Sequence, residues 1–429
     1  MKRRSFIKNA AAFASVTMLP SSVWALAKNG KLRTAHIGVG GMGGADLNSI
    51  SSHAGVEVTA LVDVDSNALA AAQKLHPRAK VFSDYRKLFD VMKNDIDAVV
   101  VSTPDHSHAP ASLMAMNMGK PVYCQKPLTH HVSEARAVRK LAKENNLITQ
   151  MGIQIHSFKE YRSAVKLIQN GIIGKVHTVR AWSPKNWGYD GPAPKGSDPV
   201  PKTLDWNLWL GTAPERAYKD KIYHPGNWRK LLDYGCGTLG DMGVHIFDTP
   251  YTALNLDVPK TIQTSCRKPT GFGHPEKNTV TYEFPGTEYT TESLKWVWYD
   301  GKGAPPDHED LKLPGNEKLP DQGSMFIGEK GRLLMPHWAF AKLIVDGKYE
   351  KVDYPQLEEA DHYHQFVDAC VGKDESSAPF SYAARLTEAI LLGVVANRFP
   401  DETLHWDNAT SKFSEAEANQ LLGGDYRSF

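Results

Sequence analysis

The stretch LRTAHIGVGGMGGADLNSI, Leu32 to Ile50, reads as a short apolar strand, a glycine turn and the start of a helix. Gly38, Gly40 and Gly43 fit G-x-G-x-x-G, with Gly41 and Met42 inside the turn and Gly44 just after it. The first glycine permits the tight turn. The second lets the backbone approach a pyrophosphate, and the third lets helix and strand pack closely. The helix N-terminus then offers free N–H groups and a positive dipole end to phosphates. Glycine turns are common, so the motif alone is weak and its context has to decide.

VEVTALVDVD, residues 56–65, is a second strand that reaches Asp63 about 20 residues beyond the glycine turn, the place of an acid that binds the adenosine ribose hydroxyls. VDSNALAAA after it has no Arg or Lys to hold a 2′-phosphate, so NAD(H) is expected over NADP(H). Alternation continues with the helix SNALAAAQKL, the short strand KVFSDY and the helix YRKLFDVMK. IDAVVVSTP is a continuous apolar strand of the buried parallel type. HAPASLMAMNMG, KPVYCQKP and HVSEARAVRKLAKENN then read as helix, strand and helix. The pattern predicts a doubly wound parallel sheet, with ligands beyond the carboxyl ends of its strands. Two such ends stand out: Ser102 to His108, STPDHSH, and Gln125 to Pro127, QKP.

The 429 residues suggest two domains of ordinary globular composition, with 41% hydrophobic and 23% charged residues. Net charge is +2, and no basic run with interleaved aromatics appears, so no nucleic-acid partner is expected. Residues 1–27 combine a basic start, a modest apolar middle and Ala25-Leu26-Ala27, an A-x-A cleavage pattern. Arg3-Arg4 followed by Ser5, Phe6, Ile7 and Lys8 resembles a twin-arginine export signal, with an ordinary secretory signal or a basic tail as the alternatives. The expectation is an exported, periplasmic or cell-envelope protein with no membrane span in its mature chain. Cys124, Cys236, Cys266 and Cys370 have neither disulfide-framework nor zinc-site spacing.

With these marks in order, the chain resembles the Gfo/Idh/MocA oxidoreductases, the family of glucose–fructose oxidoreductase and inositol 2-dehydrogenase. Further marks are TPDHSH, QKPL, GCGTLGDMGVHIFD at Gly235 to Asp248, MFIGEKGRLLM, and the tail HYHQFVDACVGK…RLTEAILLGVVANR. The resemblance implies an α/β fold: a Rossmann domain (28–152) and an α+β substrate and oligomerisation domain (153–429). The second domain would carry an open, mostly antiparallel sheet, its C-terminal helices packing back on the first. It implies a homo-oligomer, dimer or tetramer. It also implies an NAD site using Gly38, Gly40, Gly41, Met42, Gly43, Asp63, Thr103, Pro104, His106, His108, Gln125 and Lys126. The family's lysine, here Lys126, contacts the reacting hydroxyl and the nicotinamide region. Two positions depart from the pattern: the family usually has Glu where Gln125 stands, and many members have Asn where Asp105 stands.

GDMGVHIFD reads as a helix with Asp241 and His245 on one face. Such a pair can be purely structural, and with His106 and His108 it could ligate a metal, although no spacing demands one. The resemblance places both beside Lys126 at the nicotinamide. Oxidising a secondary alcohol requires the hydroxyl proton to be taken up as the hydride leaves, and histidine suits that task. His245 is therefore expected as general acid/base, Lys126 as its helper, and Asp241 as an orienting or substrate-binding group.

The segment from Trp182 to Gly211 is aromatic and proline-rich, an expected ordered excursion over the active site. Its Trp187 and Tyr189, with His224, Trp228 and Arg229 beyond it and Tyr161 and Arg162 from an earlier helix, suit a sugar ring. Packing in a core or an oligomer interface is the other reading. A mostly antiparallel sheet is expected from Val176, and SEAEANQLL as a final helix. The resulting expectation is an NAD-dependent oxidoreductase acting on a secondary hydroxyl of a glycoside, sugar or cyclitol, with C3 as one candidate position and with tightly bound cofactor. The alternative is a glycosidase that oxidises, eliminates, hydrates and reduces with the same NAD. It needs an extra base, for which Tyr161, Tyr189 and His224 are candidates.

Overall fold

The computed structural model describes residues 30–429; the expected signal, 1–27, lies outside the described residues. Six parallel strands form the first sheet: β1 Leu32–Ile37, β2 Val56–Val62, β3 Lys80–Phe82, β4 Ala98–Val101, β5 Val122–Gln125 and β6 Thr149–Gly152. Their order is β3-β2-β1-β4-β5-β6. β4 and β5 are buried throughout, which explains their unbroken apolar character. The order reverses between β1 and β4, and a crevice opens beyond their carboxyl ends.

The crossover helices are α1 Met42–Ser51, α2 Ser66–Leu75, α3 Tyr85–Met92, α4 Asp105–Asn117 and α5 Val132–Glu144. Asp65 and Asp84 start α2 and α3 by accepting the N–H of Asn67 and Arg86. α4 begins at Asp105, three residues before the apolar pattern suggests. His106 and His108 consequently lie in its first turns, not on a strand-end loop.

After α6 Lys159–Gln169 comes β7 Val176–Ser183, the pivot of a ten-stranded mixed sheet. β8 Thr261–Cys266, β9 Asn278–Pro285 and β10 Thr290–Asp300 lie on one side of β7. β11 Gly323–Gly328, β12 Gly331–Pro336, β13 Lys342–Val345 and β14 Lys348–Glu350 lie on the other. β7 pairs parallel with β10, and the remaining pairings are antiparallel. Two short strands, Thr403–Asp407 and Lys412–Phe413, extend the β8 edge. They are too short to announce themselves in sequence. The expected final helix is reduced to a 3₁₀ turn at Ala418–Leu421.

Two C-terminal helices return to the first sheet. His362–Cys370 packs on α1, and the almost wholly buried Phe380–Ala396 packs on α5. Such all-round apolarity fits a helix covered on every side.

Residues 184–235 form a strap. It leaves β7, crosses the end of β2 and carries one short helix, Trp206–Leu210. Asp205 N–H donates to Val64 O (2.9 Å) and Ser66 N–H to Thr203 O (2.8 Å). Trp209, Tyr218, Tyr223, Trp228 and Tyr234 pack into a small core of their own with Leu204 and Phe272. The Arg427 backbone N–H donates to Thr212 O (3.0 Å), and its guanidinium binds Asn207, so the chain's last residues tie the strap down. Among the described residues no helix is long and apolar enough to cross a membrane.

Candidate active site

One cavity of about 1050 Å³ runs from the carboxyl end of β2, under the strap, to the loop after β12. Backbone shape defines its first end. Gly38 has φ +81°, and a Cβ there would sit 2.7 Å from Ser102 O; one on Gly43 would sit 2.1 Å from Gly38 O. Only glycine satisfies both constraints. No side chain caps α1 at Gly41, which leaves first-turn amides for a ligand apart from that of Gly43, which donates to Gly40 O (2.9 Å). Asp63 Oδ2 accepts Val39 N–H (2.9 Å) and Oδ1 accepts Asp65 N–H (2.9 Å), fixing the carboxylate at the crevice edge. Thr103 Oγ1 is buried, lines the cavity and has no hydrogen-bond partner.

These features fit a dinucleotide. Around Asp63 the wall is Val64, Asp65, Ala68, Ser83 and Tyr85, while the lining cations Lys126, Lys185 and Arg229 belong to the other end. A 2′-phosphate would meet carboxylates, so the site suits NAD rather than NADP.

The second end gathers charge from distant segments. Lys126, directly after β5, donates from Nζ to Asp241 O (2.8 Å) and Asp241 Oδ1 (2.9 Å). One of its three ammonium donors is left over. Asp241 Oδ1 also accepts Arg229 Nε (3.3 Å), and Oδ2 accepts Trp187 Nε1 (2.7 Å). Burial opposes the Asp241 charge, but Lys126 and Arg229 hold the carboxyl well below the usual range. Asp241 is therefore saturated, and it orients Lys126 rather than offering itself to a substrate.

Asp241 lies in a π-helical turn, Leu239–Gly243, that precedes the α-helix Val244–Ala253. The sequence pattern predicts a regular helix with Asp241 and His245 stacked one turn apart. The wider turn instead sends Asp241 to Lys126 and Arg229 and leaves His245 on the cavity wall. His245 is 8% exposed, and its Nδ1 has no hydrogen-bond partner. Burial, then Lys126 and His337, push its pKa well below 6.5, so the ring is neutral. Nδ1 is buried, so the neutral ring has its other nitrogen, Nε2, to accept a proton from the cavity side.

Gln125 has a specific partner. Its Nε2 donates to both Asp46 oxygens (3.0 and 2.9 Å), and its Oε1 accepts Lys126 N–H (3.1 Å). Ser102 Oγ also donates to Asp46 (2.6 Å). Asp46 is fully buried, and burial lifts its pKa to about 6 against those two hydrogen bonds. The acid usual at position 125 is thus matched by one on α1, and the Gln125 amide bridges Asp46 to the Lys126 backbone.

Several sequence-expected contacts are corrected. His106 and His108 are buried and do not line the cavity. His106 Nε2 faces Trp209 O (3.1 Å) and anchors the strap; His108 lies between Pro127 O (2.8 Å) and Thr103 O (2.7 Å) and, as a neutral ring, donates to one of them. Burial lowers both to a pKa of about 4. Tyr161 stands behind the wall, its hydroxyl on His337 Nδ1 (2.6 Å). Arg162 turns to the Glu358 carbonyl. Trp187 does not line the cavity and meets it through Asp241 and Arg229, and the Tyr189 hydroxyl donates to Pro192 O (3.3 Å) outside the wall. His224 lies at the opposite end, its Nε2 4.0 Å from Asp65 Oδ2. Of the three bases considered for a glycosidase, His224 lines the cavity and Tyr161 and Tyr189 do not.

Gly38, Gly40, Gly41, Met42, Asp63, Thr103, Pro104, Gln125, Lys126, Trp228, Arg229, Asp241 and His245 do line the cavity. Gly43 lies behind it, holding α1 against the turn. Residues that sequence reasoning missed include Asp46, Asp105, Lys185, Gln322, His337 and Trp338. Asp105 carried one signal, its departure from the family's Asn. Burial lifts its pKa to about 7, against the pull of Arg229 and Lys126. Its Oδ2 accepts Cys236 N–H (3.2 Å). Among the described residues no group of three or more His, Cys, Asp or Glu could hold a metal ion.

A glycine-cradled cleft on a Rossmann sheet, closed by a second domain that supplies a lysine-bound aspartate and a neutral histidine, defines a two-domain NAD-binding oxidoreductase. Two family models match in sequence order: the oxidoreductase family's NAD-binding Rossmann fold over residues 32–153 and its C-terminal alpha/beta domain over 158–282. The chain belongs to the Gfo/Idh/MocA oxidoreductase family. It is 30% identical over 152 residues to an inositol 2-dehydrogenase of Corynebacterium glutamicum, covering 35% of this chain and 44% of that protein. It is 26% identical over 166 residues to a levoglucosan dehydrogenase of Pseudarthrobacter phenanthrenivorans, covering 39% and 34%. The chain thus spans less than half the length of these curated relatives. An aldose-aldose oxidoreductase structure from Caulobacter crescentus superposes with TM-score 0.58 at 16% identity, covering 87% of this chain and 99% of that one.

Proposed function

We propose that this protein oxidises a secondary hydroxyl of a carbohydrate, a glycoside, free sugar or cyclitol, with NAD as hydride acceptor. One observation carries the reading: Lys126, held by Asp241, and the neutral His245 share one wall of the cavity that the glycine cradle enters. NAD, when bound, supplies the acceptor for the hydride. His245 takes the hydroxyl proton. The remaining Lys126 donor stabilises alkoxide character on the same oxygen. The lysine charge that depresses His245 also lowers the alcohol pKa, so donor and acceptor move in the same direction. Asp241 fixes the lysine.

The strap over the end of β2 supports tight cofactor retention. Together with Arg3-Arg4 and the A-x-A pattern, this fits export through a twin-arginine pathway with NAD already bound; the family resemblance supports a dimer or tetramer as the working form.

The test uses purified protein lacking residues 1–27. Bound nucleotide is released and assayed, and the protein is then offered free sugars, inositols and nitrophenyl glycosides. NADH formation from a sugar supports the reading. Nitrophenol release without net NADH marks the glycosidase instead, and failure to bind NAD at all defeats both.

A further inference from the structure

The cavity does not stop at the reaction centre. Beyond His245 it continues past His337 to Trp338, with Lys185, Asp321 and Gln322 along its edge. Trp338 is 64% exposed, and among the described residues every other tryptophan is buried or half-buried. Its backbone has φ +70°, a conformation that costs a bulky residue energy and that persists only where the surroundings enforce it. Three contacts do so. Trp338 N–H donates to Tyr161 Oη (3.3 Å), the Phe158 ring meets the indole edge-on at 6.2 Å, and His337 lies against it at 5.5 Å. The same Tyr161 hydroxyl binds His337, whose ring is 6.1 Å from that of His245. The indole is thus held in place by groups packed against the proton acceptor, yet its own face is left open.

We propose that Trp338 is the platform of a second sugar subsite, so that the substrate is a two-ring glycoside with its outer ring stacked on the indole. This rests on the carbohydrate reading above. A pyranose presents an apolar C–H face to an aromatic ring and a rim of hydroxyls to polar groups. Gln322, Asp321 and Lys185 supply that polar rim beside Trp338. A one-ring substrate held at Lys126 and His245 would leave this end of the cavity, and the strained indole, without a partner.

The experiment compares wild type with Trp338→Asn and Trp338→Phe, all loaded with NAD. Asparagine suits the positive φ, so it removes the ring while relieving the backbone. Probes are cellobiose, maltose, lactose and 4-nitrophenyl β-D-glucopyranoside against glucose, galactose and methyl β-D-glucopyranoside, followed by calorimetric titration and by NADH formation. Wild type is expected to prefer at least one two-ring probe. In Trp338→Asn the two-ring to one-ring ratio of affinity and of kcat/KM falls about ten-fold, as for loss of an aromatic anchor. Trp338→Phe keeps most of the ratio, and the melting temperature of Trp338→Asn is equal or higher. No preference in wild type, an unchanged ratio in Trp338→Asn, or a change in its sedimentation that marks the indole as a subunit contact overturns the proposal. Oxidation of one-ring sugars alone leaves the general function standing while removing the subsite. Binding of two-ring probes without NADH formation keeps the subsite and counts against the oxidoreductase reading.

Discussion

The two ends of the cavity are built by opposite means. The cofactor end comes from some thirty consecutive residues, Gly38 to Asp65, and works through backbone: a turn only glycine can make, uncapped amides and one carboxylate fixed by two N–H groups. The reaction end is assembled from β5, the strap, a π-turn and the loop after β12, and it works through charge. The first is tolerant of side-chain chemistry and intolerant of volume; the second is the reverse. Substitutions at the two ends should therefore fail differently.

The largest effect is expected at His245. His245→Ala should lower the rate of hydride transfer by roughly 10²–10⁴-fold, the usual contribution of a positioned acid/base. Stopped-flow NADH formation measures the loss, and calorimetry should find NAD affinity intact. Lost NAD binding would erase the distinction between the two ends. Gly43→Ala should do the converse. Its Cβ would lie 2.1 Å from Gly38 O, so the cradle must open. NAD binding should disappear, with a stability loss of about 1–3 kcal/mol in denaturant titration.

Gln125 and Asp46 join the two ends, and their exchange sharpens the comparison. Gln125→Glu places two carboxyls where amide and acid now bond, and should cost about 1–3 kcal/mol above pH 6. The deficit should shrink as pH falls through the Asp46 pKa of about 6, because a protonated acid can donate again. Asp46→Asn with Gln125→Glu should recover much of the stability; a double-mutant cycle with no coupling would show that the pair does not act as a unit.

The smallest effect concerns Asp105, whose carboxyl is raised to about 7. A raised carboxyl binds its proton more tightly folded than unfolded, so its stabilising contribution is present at low pH and is lost as pH rises from about 4 to 7. Asp105→Asn lacks that loss. Its melting temperature relative to wild type should rise between pH 4 and pH 8, and any inflection of kcat/KM near pH 7 should vanish. Parallel curves for the two proteins would show that Asp105 titrates elsewhere.

Much of the fold was legible from 32–152, because strand and helix periods are local and the glycine spacing is a geometric requirement. The tryptophans illustrate what was not. Composition alone suits them either to a sugar pocket or to a core; Trp182 lies inside β7 and Trp206 stacks on Trp209 in the strap core. Among the described residues Trp338, which nothing in the sequence marks, is the exposed tryptophan that lines the cavity. His106 and His108 were misplaced for a similar reason: α4 begins at Asp105, and that start turns both rings into the protein.

The sequence by itself marked the nucleotide cradle and the acid that favours NAD, since each is carried by a short motif whose geometry follows from its own residues, whereas Lys126, Asp241 and His245 were singled out by the resemblance to the family. Tertiary structure alone decided which groups meet. Asp241 became a saturated anchor, Gln125 acquired Asp46 as its counterpart, and His224 went to the far end. These outcomes depend on contacts between residues far apart in the chain, 115 positions for Lys126 and Asp241 and more for His224 and Asp65, and such contacts are fixed by packing and burial rather than by any local pattern.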